Sequence, residues 1–110
     1  MAVNLNLLRG YLNQDEKMVN KFLNLFCLTI PEELQKLKEY LLNSDFEMVS
    51  ITAHGIKTQC AYLGLDEAKN IAQQMENIAQ VSENNFEWLN NLELHLNSEI
   101  IDLKMTFTKE

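Results

Sequence analysis

The sequence predicts an all-α fold, an antiparallel up-down four-helix bundle with a short additional N-terminal helix, on three observations. Only three glycines and one proline occur in 110 residues, and Leu, Lys, Glu, Gln, Ala and Met dominate over β-branched runs, which favours helix over sheet. Apolar residues recur at spacings of three and four along long segments. The breaks between segments are short and polar, which makes successive helices antiparallel neighbours. A chain of this length with 46% hydrophobic residues can bury one modest core. Residues 1–110 therefore read as one domain, with 1–13 a capping segment and 14–106 the bundle.

The elements follow in order. Leu5 to Leu12 is a short apolar piece suited to capping one end of the bundle. A segment from about Gln14 to Leu28 carries Met18, Val19, Phe22, Leu23 and Phe26 on one side. At Thr29, the run Thr-Ile-Pro-Glu offers a hydroxyl N-cap, a proline in the first turn and Glu32 at the capping-box position, so a new helix is expected there. Its stripe is Ile30, Leu34, Leu37 and Leu41. Asn43-Ser44-Asp45 breaks the chain, and Ser44 with Glu47 forms a second capping box that opens the next helix.

That helix buries Phe46, Val49, Ala53, Ile56, Cys60 and Leu63, and Gly64 ends it where a left-handed cap is least costly. Asp66 to about Gln80 follows, burying Ala68, Ile71, Ala72, Met75 and Ile78, and Ser82 to Asn85 breaks it. The last helix runs from Phe86 through Leu89, Leu92, Leu96, Ile100 and Leu103 to a charged tail, with Glu93 and Glu99 on its polar side.

Composition removes several function classes. The net charge is −7 and the basic residues are scattered singly, so no basic stripe exists for nucleic acid. No apolar run reaches the ~18 residues of a membrane span, and Met1 to Gly10 lacks a signal-peptide pattern, so a cytoplasmic protein is expected. Cys27 and Cys60 fall in helical apolar patterns and read as reduced core thiols. Neither His54 nor His95 has a second His or Cys at helical spacing, so no metal site is expected and His95 reads as a surface residue. Glycine-rich phosphate loops are absent, as are kinase-like boxes and any isolated acid and base pair, which argues against an ATP-dependent kinase or a hydrolase.

His54 stands apart from the buried stripe of its helix. At about 100° per residue its imidazole points roughly 140° from the stripe's centre, toward water. Glu47, Ser50, Ile51, Lys57, Thr58 and Ala61 share that face. Lys57 lies one turn on and can place an ammonium beside any anion attached to the ring.

The stretch Ala53-His54-Gly55-Ile56-Lys57-Thr58-Gln59-Cys60-Ala61-Tyr62-Leu63-Gly64 resembles the core signature of the histidine-containing phosphotransfer domain: a histidine, a lysine three later and a glycine ending the helix. Asp45 before the helix, and Met75-Glu76 where that family commonly has Leu-Glu, extend the likeness. The family's usual glycine after the lysine is Thr58 here, directly alongside His54. A branched side chain at that place could narrow access to the ring, or its hydroxyl could bond phosphoryl oxygens.

The resemblance implies a phosphocarrier rather than an ATP-dependent kinase. His54 would accept a phosphoryl group from a receiver-domain aspartyl phosphate and pass it to another receiver. Lys57 would stabilise phosphoryl charge, Thr58, Gln59 and Gly64 would support the site, and Ser50, Ile51, Gly55 and Ala61 would form the docking face. The implied partners are response-regulator receiver domains and a hybrid sensor histidine kinase. No cofactor of its own is implied, because the receiver supplies Mg²⁺, and a monomer is expected. The alternatives are a non-catalytic interaction module with His54 unphosphorylated, or a homodimer with Met18, Trp88 or Ile51 in its interface.

Overall fold

The computed structural model describes residues 2–78 and 83–107. Five helices follow one another: α1 (Leu5–Tyr11), α2 (Glu16–Leu42), α3 (Phe46–Leu63), α4 (Asp66–Glu76) and α5 (Glu83–Phe107). Helix α2 packs on α3, α3 on α4, α4 on α5, and α5 returns against α2, which closes a four-helix ring; α1 lies against α3 and α2. The fold is the all-α bundle with a short N-terminal helix that the pattern predicts.

The break expected at Thr29 does not exist, because α2 runs unbroken through Pro31. Val19, Leu23, Phe26, Cys27, Ile30, Leu34, Leu37 and Leu41 are all buried along it, so the apolar stripe keeps its phase across the proline. Pro31 faces solvent, and the helix gives up one backbone hydrogen bond there but no core contact. Thr29 does not cap. Its hydroxyl donates back to the Leu25 carbonyl at 2.8 Å, an arrangement available only inside a helix.

The N-cap of α3 is Asp45, not Ser44. Ser44 sits at φ 55°, the left-handed position that ends α2, where its N–H donates to Leu41 O and that of Asp45 to Tyr40 O. A residue held there to close one helix cannot take the extended conformation that opens the next. Asp45, at φ −88° and ψ 78°, takes the role instead, accepting from Met48 N at 3.2 Å. Along α3, Val49, Ala53, Ile56, Cys60 and Leu63 are buried as expected; Thr52 joins them, while Phe46 is only half-buried.

Helix α4 ends at Glu76, short of the expected Gln80. Gln80 and the expected start of a break at Ser82 lie outside the described residues, as do residues 108–110 of the tail. Ala68, Ala72 and Met75 are buried, with Ile71 and Ile78 packed against the core at its edge. Asn84 and Asn85 belong to α5 rather than to a break. Trp88 is half-buried against the core, whereas Met18 and Ile51 are exposed.

Glu99 also departs from the sequence reading. It is not on a polar face but 9% exposed, and its Oε1 accepts from Ala2 N at 2.8 Å and Val3 N at 3.0 Å. The stripe rule assigns a carboxylate to water; here two backbone N–H groups take water's place. The N-terminal segment is thereby tied down beside the α3–α4 turn, where Asn4 N donates to Leu63 O at 2.8 Å and the Asn4 side chain caps α1. Cys27 and Cys60 are buried free thiols, and burial pushes the Cys60 thiol up to about 12. Among the described residues no helix is long and apolar enough to cross a membrane.

Two glycines of α3 have opposite roles. Gly64 is left-handed at φ 66°, and a Cβ on it would meet Asn4 Cβ at 3.1 Å, whereas a Cβ on Gly55 would meet nothing within 4 Å. Gly64→Ala is therefore expected to lower unfolding stability by at least about 1–2 kcal/mol. Gly55→Ala is expected to raise it by about 0.5–1 kcal/mol. Urea unfolding of the two variants beside wild type checks both signs.

Candidate functional site

The Gly64-Leu65 turn folds α3 and α4 into an antiparallel hairpin, and the register of that hairpin builds the site. His54 stands as far before Leu65 as Glu76 stands after it, and Lys57 and Gln73 form the next such pair inward. Residues equidistant from a helical turn come side by side when both helices are straight. The geometry follows that rule. Nδ1 of His54 meets Glu76 Oε1. Lys57 Nζ donates to Glu76 Oε2 at 2.7 Å and to Gln73 Oε1 at 3.0 Å. Gln73 Nε2 closes the cluster by donating to Glu76 Oε2 at 3.1 Å.

Exposure grades across this cluster. The His54 side chain is 62% exposed, that of Lys57 21% and that of Glu76 16%. The ring is thus open to solvent while its anchor is sheltered. The Lys57 hydrogen bond holds the Glu76 carboxyl below its ordinary value of 4.5, with the His54 bond adding to it against a partial desolvation that opposes. An ionised carboxylate has no proton to give, so the proton in the His54–Glu76 bond belongs to Nδ1. In the neutral ring Nε2 then carries the free lone pair.

The other residues singled out in the sequence fall around this core. Thr58 is exposed, and its hydroxyl donates to the His54 carbonyl at 3.0 Å, so its proton is engaged by the backbone. Ser50 is half-buried, and Ile51, Gly55 and Ala61 are exposed on the His54 side of α3. Gly64 caps the helix and sets the hairpin. Gln59 takes no part in the cluster. His95 is exposed on α5 with Nε2 3.5 Å from Glu67 Oε2. Among the described residues no group of three or more His, Cys, Asp and Glu is placed to hold a metal ion.

Glu76 and Gln73 are the residues that the site reading lacked. Glu76 had a signal in Met75-Glu76, and the distance of both residues from Gly64-Leu65 was a second one.

Fold and cluster together define a small helical bundle with an exposed imidazole on α3 held through Nδ1 by a carboxylate of α4. A family model described as the Hpt domain matches residues 21–105, and the chain belongs to that family. Domains of this family serve phosphotransfer in two-component signalling and interact with receiver domains and kinases. No curated protein and no solved structure matches the chain.

The direction of the Glu76 shift fixes a pH dependence. A carboxyl whose folded pKa is depressed adds stability above its unfolded value and loses that stability as pH falls through the folded one. Wild type is expected to exceed Glu76→Gln in unfolding midpoint at neutral pH. The gap should close only once the pH drops below 4.5. Thermal unfolding of both proteins across that range measures it.

Proposed function

We propose that this protein relays phosphoryl groups between receiver domains, with Nε2 of His54 as the phosphoacceptor. The observation that carries the reading is the bond from His54 Nδ1 to Glu76 Oε1, which in the neutral form of this exposed ring puts the proton on Nδ1 and the lone pair on Nε2. In the transfer, the Nε2 lone pair forms an N–P bond as the bond from phosphorus to the aspartyl oxygen breaks, and that bond's electron pair leaves with the regenerated carboxylate. No proton moves. The phosphorylated ring keeps its Nδ1 proton and so acquires positive charge, against which Glu76 is already in place.

Lys57 acts on both sides of this step. Two of its three ammonium protons hold Glu76 and Gln73, and the third remains for a phosphoryl oxygen. The chain needs no pocket of its own, because the receiver supplies Mg²⁺ and most of the transition-state stabilisation. Ser50, Ile51, Gly55 and Ala61 form the face on which a receiver docks, and the open space around Gly55 keeps that face low beside the ring. Thr58, with its hydroxyl proton on the His54 carbonyl, contributes bulk rather than a bond to phosphate. The protein acts as a monomer in the cytoplasm, where its two free thiols stay reduced.

Because an N–P bond at imidazole survives alkali but not acid, the test is direct. Mixed with a receiver domain carrying labelled aspartyl phosphate and Mg²⁺, wild type is expected to gain alkali-stable, acid-labile label, and His54→Gln none. Thr58→Gly is expected to keep or raise the transfer rate. Absence of label on wild type, or equal label on His54→Gln, would overturn the proposal.

A further inference from the structure

Next to the His54 cluster lies a groove of about 540 Å³ lined by Tyr11, Tyr62, Ala61 and Thr58 together with Lys57, Lys69 and Gln73. Helix α1 supplies Tyr11, α3 supplies Tyr62, Ala61 and Thr58, and α4 supplies Lys69. Tyr11 is 56% exposed although its ring meets that of Tyr62 edge-on at 5.2 Å, and Tyr62 meets Phe22 behind it at 5.7 Å. These are large, rigid, amphipathic side chains, braced from within and still open to a partner. Such side chains carry much of the energy at protein interfaces. Lys69 makes no ion pair among the described residues, so it stands as a cation in a chain of net charge −7.

What covers this groove follows from its continuity with His54. A partner that brings phosphorus to Nε2 must also lie over Thr58 and Lys57, the groove's near edge. A specific interface needs about 800 Å² from each side, far more than the small side chains around His54 can supply. Toward the start of α3 the contact would extend over Ile51 and the carboxylate of Glu47. Toward its end it would extend over two tyrosines and Lys69.

We propose that this groove is the second half of the receiver-docking surface. Tyr11 and Lys69 select receivers that present an acidic rim beside the phosphoaspartate. The inference rests on the relay reading above and assigns a task to α1, which precedes the residues matched by the family model. Glu99 and Asn4 then have a functional consequence, since they anchor the N-terminal segment from which α1 departs. The charge of the groove also matters at longer range: an acidic receiver is repelled by the chain as a whole and attracted at this place, which fixes its orientation.

The experiment is single-turnover transfer from an isolated receiver domain, phosphorylated with acetyl phosphate and Mg²⁺, at rising receiver concentration. Tyr11→Ala and Lys69→Glu are each expected to raise the half-saturating concentration about tenfold while leaving the limiting rate within about twofold. Tyr11→Phe should behave nearly as wild type. Added salt should weaken wild type more than Lys69→Glu. Should Tyr11→Ala loosen α1, Lys69→Glu still decides, because the Lys69 side chain makes no ion pair among the described residues. Labelled wild type with half-saturation unchanged in both variants would overturn this inference and leave the relay reading standing. A wild type that takes no label would overturn both.

Discussion

One carboxylate holds the site together. Glu76 accepts from His54 on one oxygen and from Lys57 and Gln73 on the other, and each bond conditions the next. Lys57 holds the carboxyl below its ordinary range; the ionised carboxylate accepts the Nδ1 proton; in the neutral ring the lone pair is then on Nε2. Remove the carboxylate and the ring is free to take either tautomer and to turn about its side-chain bonds. A helical histidine at random on a surface has neither constraint.

The fold exists around that contact in a literal sense. Glu76 is the last residue of α4 and His54 lies in the middle of α3, so they meet only if the turn between the helices is tight and begins at one defined residue. Gly64 provides it through a left-handed backbone. Asn4 packs where a Cβ on Gly64 would intrude, so the N-terminal segment reinforces the turn that sets the register. The buried Glu99 holds that segment from the other side, through the backbone N–H groups of Ala2 and Val3. Stabilising contacts on one side of the turn thus determine distances several turns away at the imidazole.

Much of this was legible in the sequence, for identifiable reasons. The stripe of α3 is regular enough that the outward direction of His54 followed from helical periodicity alone, and Gly64 marked the turn. The misreadings arose where two rules competed. Thr-Ile-Pro-Glu satisfies the rule for a helix start, yet Ile30 and Leu34 continue the stripe of Phe26 and Cys27 without a phase change, and burial outweighed local capping. Ser44 suited a cap by type, but the preceding helix had already claimed its backbone. Glu99 was assigned by charge to a polar face because the backbone donors that satisfy it lie nearly a full chain length away. Gln73 and Glu76 were hidden for a related reason: periodicity describes one helix at a time, and their role depends on the pairing of two.

The central claim is that Glu76 makes Nε2 the nucleophile, and the phosphorylated protein can be asked directly. With ¹⁵N-labelled histidine, the phosphorus–nitrogen coupling in NMR identifies the ring nitrogen that carries the phosphoryl group. The account predicts coupling to Nε2 of His54, with the Nδ1 proton retained and bonded to Glu76. Coupling to Nδ1 would contradict it, because the phosphoryl group would then occupy the position that the carboxylate holds.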